Sequence, residues 1–251
     1  MANINPGDVI LVTGASGAIG FEIAAQAAEA GAIVAVHGSS ARSAASAIAR
    51  LAARVPQAQL IPAPADFRDD GAIEAMIAGV VDRTARLDAV IHCGITGAPG
   101  ATGFLAKADP SALASHVALV LGTFQRLSLA ALPHLSERGG TIIAFASDAG
   151  RFAAPRQSVV GAAFGGIMAF VRNLAMETSR KGVRVHCISP SFVADTPVFK
   201  MHAARAGAAF DRAGLGLPTP ADIAPMALFL CGPGAARITG QIISINGGLN
   251  A

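Results

Sequence analysis

The chain has 251 residues, 53% of them hydrophobic and 14% charged, with a formal net charge of +3. That composition supplies a sizeable core and excludes a disordered chain. The arginines are scattered and no run of five basic residues occurs, so the electrostatic footprint of a nucleic-acid binder is missing.

In chain order the apolar pattern alternates between short β-branched runs and longer helical stretches. Val9-Ile10-Leu11-Val12 reads as a strand buried on both faces and runs into Gly14. A helix is predicted over 18–30, stopped by Gly31. Ile33-Val34-Ala35-Val36 is the second strand, 41–54 a helix ended by Pro56, and Leu60-Ile61 part of a third strand. Asp70 is placed to cap a helix reaching about 86. The fourth strand begins at Ala89-Val90-Ile91, and one long helix is predicted over 111–135. Gly139-Gly140 lead into the fifth strand, Thr141 to Phe145, followed by a helix over 159–180. The sixth strand covers 183–188, a helix 221–230, and a last strand 242–245.

Strands alternating with helices of this length imply an α/β protein with right-handed crossovers. The expectation is a doubly wound parallel sheet, a Rossmann fold of about seven strands with helices on both faces. Neither a composition break nor a repeat divides the chain, so 1–251 reads as one domain. Residues 192–220 are the one irregular insertion, expected as a flap over a substrate pocket.

Cys93, Cys187 and Cys231 are odd in number, widely spaced and free of any C-x-x-C pair, which predicts reduced thiols in a cytoplasmic protein. The N-terminus lacks a basic start and a long apolar stretch, so no signal peptide is expected. The longest apolar-and-small run, 159–171, is shorter than a bilayer span, so no membrane partner is expected.

Thr13-Gly14-Ala15-Ser16-Gly17-Ala18-Ile19-Gly20 follows the first strand and opens a helix. Glycines there permit a tight turn and a close approach to a pyrophosphate, and the helix start offers free N–H groups. The pattern T-G-x-x-x-[AG]-x-G resembles that of the short-chain dehydrogenase/reductase family. The likeness continues through Asp66, through Gly94 at the end of Ile91-His92-Cys93-Gly94, and through Leu132-Pro133-His134-Leu135 and Arg184-Val185-His186. It extends to Ser189-Pro190-Ser191-Phe192-Val193 and Ile245-Asn246-Gly247-Gly248. The resemblance implies a nicotinamide dinucleotide held by Gly14, Ser16, Gly17, Ala18, Ile19 and Gly20, with Asp66 meeting the adenine and Gly94 and Pro190 lining the site. Relatives that prefer NAD carry an acidic residue at the end of the second strand, where Gly38 stands here. Ser39, Ser40 and Arg42 offer hydrogen bonds or charge to a 2′-phosphate. The balance favours NADP(H) over NAD(H), although Gly17 replaces the basic residue that many NADP-binding relatives have in the loop.

The resemblance also locates the family's catalytic serine at Ser147. Its tyrosine position falls on Val160, its lysine position on Phe164 and its asparagine position on Leu119. The chain contains no tyrosine at all, and its lysines are Lys107, Lys181 and Lys200. General acid catalysis contributes about 10²–10⁴-fold, so the family's ordinary hydride transfer is expected to be weak or absent. Asp148 and His92 are the candidates for a substitute acid or base, with Cys93 nearby. Spacing argues against a metal site built from His92, Cys93 and His186. Arg151, Arg156 and Gln157 fall in the loop that borders the substrate in the family, placed to meet an anionic substrate.

Three readings stand at this level. The first is an NADP(H)-binding member of an oxidoreductase family acting weakly on an unknown small carbonyl or alcohol. The second is a non-redox lyase, isomerase or dehydratase using Ser147 with Asp148 or His92. The third is a non-catalytic subunit or cofactor-sensing partner of an active relative. By resemblance, the helix over 159–171 pairs across a homodimer or homotetramer interface, or with such a relative.

Overall fold

Strand runs that are apolar on both faces bury both faces, and β1 (Val9–Thr13) and β4 (Ala89–His92) are buried at every residue. They lie in the middle of one seven-stranded sheet. The computed structural model describes residues 4–94, 102–201 and 211–250. The other strands are β2 (Ile33–Val36), β3 (Gln59–Pro62), β5 (Gly140–Phe145), β6 (Val183–Pro190) and β7 (Ile242–Ile245). Every pairing is parallel, in the order β3-β2-β1-β4-β5-β6-β7. The winding direction reverses between β1 and β4. This is the switch point where open α/β sheets form a ligand crevice beyond the strand C-termini. The register sets Thr13 opposite His92, which brings the glycine loop against the end of β4.

Successive side chains face opposite sides of the sheet. Val9, Leu11, Val90, Ile142 and Ala144 enter one buried cluster, with residues from α3 (Ala72–Thr84), α5 (Thr123–Leu135) and α6 (Ser158–Thr178). Ile10, Val12, Ile91 and Ile143 enter another. That cluster is completed by α1 (Ala18–Glu29), α2 (Ala41–Arg54) and α8 (Pro220–Cys231), the last following the short α4 (Pro110–Val117) and α7 (Pro197–Met201) in our numbering.

Three local features depart from the sequence expectation. Gly71, at φ 75°, occupies the N-cap of α3 in place of Asp70, because the chain enters this helix through a left-handed turn. The long helix predicted over 111–135 forms without a break, but carries a π-helical turn over Ala118–Gly122 between α4 and α5. The helix expected over 159–180 forms, but it is not too short for a bilayer as its apolar run 159–171 is: Ser158–Lys181 is long and apolar enough to cross one by length and composition. Here it packs Ala163, Ile167, Val171 and Leu174 into the sheet cluster.

In the insertion over 192–220, residues 202–210 lie outside the described residues. The remainder packs on the C-terminal tail, where Ala213, Leu217 and Leu249 form a small core with Phe192 and Phe199. Leu215 N–H donates to the Gly247 carbonyl at 3.0 Å. A Cβ at Gly247 would fall 1.7 Å from the Gly216 oxygen, so only glycine fits there.

Candidate functional site

The glycine loop folds back on the end of β4. Gly14 sits at φ 68°, and a Cβ there would lie 2.7 Å from both Gly94 Cα and Gly94 N. A Cβ at Gly20 would lie 2.4 Å from the Gly14 oxygen. These two positions demand glycine for different reasons: Gly14 for the turn, Gly20 for the approach of α1 to its own loop. Helix α1 begins at Ala18 with Gly17 as N-cap, no side-chain cap and no acidic residue in its first turn. Its first N–H groups are therefore open to an anion.

Beyond this loop, at the switch point, is a cavity of about 210 Å³. Among the residues singled out for nucleotide contact, Gly14, Ser16, Ser39, Asp66 and Gly94 line it. Gly17, Ala18, Ile19 and Gly20 form the back of the turn and the helix start instead. Arg42 is exposed in the first turn of α2, and Pro190 is buried at the end of β6, so neither reaches this cavity.

The floor of the cavity is built by a residue the sequence reading did not single out. His37, immediately after β2, is 4% exposed. Its Nδ1 accepts from Gly14 N–H at 3.0 Å, which fixes the neutral tautomer with Nε2 donating to the Ala65 oxygen at 2.9 Å. One imidazole thus ties the glycine loop to the segment after β3. Burial lowers its pKa, consistent with the acceptor role. The ring stacks on Phe67, with centroids 4.4 Å apart and planes 8° apart. His92 continues the ring series at 6.0 Å from Phe67 and 5.8 Å from Phe124.

Asp66 lines the cavity with its carboxylate held by Arg68, whose Nε donates to Oδ1 at 2.9 Å and Nη2 to Oδ2 at 2.5 Å. These hydrogen bonds hold its pKa at about 2. The lack of an acid after β2 has a steric counterpart. Ser40 and Ser43 close a capping box that draws α2 against the strand end. A Cβ at Gly38 would lie 2.4 Å from Ser43 Oγ and 2.5 Å from Ala44 N.

Two residues beyond β5, Ser147 is half-buried and caps a 3₁₀ turn, accepting from Ala149 N–H at 3.3 Å. Val160 is half-buried and packs against the main core, and Phe164, 7% exposed, belongs to the same buried cluster as Val120, Phe124 and Ala146. Leu119 lies on the π-helical turn and lines the cavity. All three side chains are hydrocarbon.

The proposed substitutes are occupied. Asp148 is 2% exposed. Its Oδ1 accepts from Ser189 Oγ at 3.1 Å and Ser244 Oγ at 2.9 Å. Its Oδ2 accepts from Asn246 Nδ2 at 2.6 Å and Asn250 Nδ2 at 3.1 Å. This carboxylate ties the ends of β6 and β7 and the C-terminal tail together. His92 is 1% exposed, with Nδ1 2.8 Å from Thr13 Oγ1, which also accepts from Gly94 N–H at 3.2 Å. Burial, and then the nearby His37, push its pKa down to about 3, so it remains neutral at ordinary pH. Burial pushes the Cys93 thiol up, away from a reactive thiolate. Among the described residues no three His, Cys, Asp or Glu side chains converge to hold a metal ion.

Of the loop residues, Arg151 lies over Phe152, 5.2 Å from its centroid, and reaches Ser244 Oγ at 3.4 Å. Arg156, at φ 69°, lies 5.1 Å from the Phe104 centroid. It borders a second cavity of about 430 Å³ with Leu105, Lys107 and Val159. Gln157 is the N-cap of α6.

The profile of a family described as enoyl-(acyl carrier protein) reductase matches residues 14–250. The 3-oxoacyl-(acyl-carrier-protein) reductase FabG of Chlamydia trachomatis is 30% identical, over 95% of this chain and 96% of its own length. A Xanthobacter autotrophicus protein named inactive 2-(S)-hydroxypropyl-CoM dehydrogenase 2 is 31% identical over 74% of this chain and 84% of its own. The crystal structure of a dehydrogenase/reductase from Sinorhizobium meliloti 1021 superposes with a TM-score of 0.90 at 25% identity, covering 100% of this chain and 98% of that one.

Proposed function

From the premise that the chain belongs to the short-chain dehydrogenase/reductase family of oxidoreductases, we propose that it binds NADP(H) and carries out the family's hydride transfer weakly or not at all. The observation that carries the binding half is the cradle at Gly14 and Gly20, where any Cβ would strike backbone, beside an uncapped helix start. Gly14, Ser16 and the first turn of α1 would hold the pyrophosphate, and the cavity lined by Asp66, Phe67 and Gly94 the adenosine end. The bound nicotinamide supplies a hydride donor or acceptor. The chain's own part is to supply or remove the accompanying proton, and that part is missing.

Val160, Phe164 and Leu119 have hydrocarbon side chains with no proton to transfer. The Asp148 carboxylate is buried and already accepts from four donors, and burial keeps His92 neutral. Ser147 alone offers a hydrogen bond without an acid behind it. The similar Xanthobacter protein is itself named as inactive. We further propose a cytoplasmic location, since all three cysteines are unpaired.

The test is NADPH oxidation with a panel of ketones, aldehydes and acyl thioesters, for the wild type and for Val160→Tyr/Phe164→Lys. The expected result is wild-type turnover at least ~10²-fold below the double variant on the best substrate. Wild-type turnover on the order of 10 s⁻¹ or faster would overturn the reading.

A further inference from the structure

We propose that Arg50, on α2, is the residue that grips the ribose 2′-phosphate of NADP(H), reaching the glycine loop from outside it. The inference rests on the NADP(H) reading above and adds the residue that would enforce it. Arg50 lies 34 positions from Ser16 in sequence, yet its Nη1 donates to the Ser16 carbonyl at 3.4 Å. Its Cζ stands 4.1 Å from the centroid of Phe21, in the first turns of α1. A guanidinium stacked on an aromatic face keeps its planar fork oriented and loses little freedom when it grips a phosphate. The Ser16 bond is long for an N–H···O contact and leaves the remaining N–H donors free.

The surroundings make this cation available. Arg54, one turn further along α2, is taken by Glu22 at 2.6 Å and Glu29 at 2.9 Å. Arg50 has no ion pair among the described residues, although both glutamates lie on the neighbouring helix α1 and its end. Ser16, which it touches, and Ser39, across the rim, both line the nucleotide cavity. The one carboxylate among the described lining residues, Asp66, is neutralised by Arg68. Gly38 cannot acquire an acid without displacing the Ser43 cap. Among the described lining residues, therefore, no unpaired carboxylate stands to repel a dianionic phosphate, and Gly17 puts no side chain on the loop in the way of one arriving from α2. Arg42 is exposed with no orienting contact of this kind, so the two arginines make separable predictions.

The experiment is calorimetric titration of the wild type, Arg50→Met, Arg50→Lys and Arg42→Met with NADPH, NADH, adenosine 2′,5′-bisphosphate and ADP. The wild type is expected to bind NADPH more tightly than NADH. Arg50→Met should weaken NADPH and the 2′,5′-bisphosphate roughly 10- to 100-fold. It should leave NADH and ADP within about twofold, because neither carries the group that Arg50 grips. Arg50→Lys should recover part of the loss, and raised salt should shrink the wild-type preference, since the site is exposed. A wild type that prefers NADPH and an Arg50→Met variant that keeps that preference would overturn the assignment while leaving the NADP(H) reading intact. A wild type that binds NADH as tightly as NADPH, or neither, would overturn both. Arg50 is exposed on the helix surface, so a melting temperature within a few degrees of wild type confirms that the variant folds.

Discussion

Replacing His37 by alanine removes three interactions at once. Gly14 N–H loses its acceptor and the Ala65 carbonyl its donor, at 3.0 Å and 2.9 Å respectively. Phe67 loses the ring stacked on it at 4.4 Å. A buried backbone group left without a partner costs about 1–3 kcal/mol, and a stacked ring pair contributes about 0.5–1.5 kcal/mol. Allowing water to reach one of the two orphaned groups, the loss is about 2–4 kcal/mol. For a domain of this size that lowers Tm by roughly 5–15 °C. The assay is urea denaturation of the wild type, His37→Ala, Phe67→Ala and the double variant. The cycle isolates the ring–ring coupling, expected at about 0.5–1.5 kcal/mol. NADPH affinity should fall in His37→Ala, because Gly14 is no longer pinned. A destabilisation below about 0.5 kcal/mol, with NADPH affinity unchanged, would refute the idea that this imidazole organises the loop.

Acid should weaken the fold through its buried imidazoles. Burial holds His92 at about 3 and His186 at about 4, the latter also pushed down by Arg184, and it lowers His37. In the unfolded chain each takes a proton near pH 6.5, so their contribution is complete above that pH. It is lost as pH falls toward 4, by up to roughly 1.4 kcal/mol per pH unit per histidine. Melting curves from pH 7.5 to 4.5 should show this fall, and a flat profile would contradict it. Asp148→Ala should cost about 3 kcal/mol, by stranding the donors of Ser189, Ser244, Asn246 and Asn250. It should also speed proteolysis of the C-terminal tail; unchanged stability and cleavage would mean the carboxylate does not hold the tail.

The strand and helix order was legible because each run carries its own period and its own stop, and the glycine loop because its context is local. What escaped the sequence reading depends on contacts between distant residues. His37 reads as one polar residue after a strand, and only the fold sets it between Gly14 and Ala65. Asp148 looks like a free acid beside Ser147 until residues 41 to 102 positions away supply its donors. Gly38 reads as a missing carboxylate, whereas the capping box of α2 shows that no side chain fits. That Val160 and Phe164 carry no polar group was plain from their letters. That Phe164 is absorbed into the core required the packing. Arg50 carried no sequence signal, since nothing in a helical arginine announces a partner on another helix.

The most direct test of the account is a calorimetric titration of the purified protein with NADPH. It predicts saturable binding of one NADPH per chain, with Kd on the order of 1–100 μM. No heat and no protection against thermal unfolding at ~1 mM NADPH or NADH would contradict it, and the glycine cradle would then be a structural turn alone.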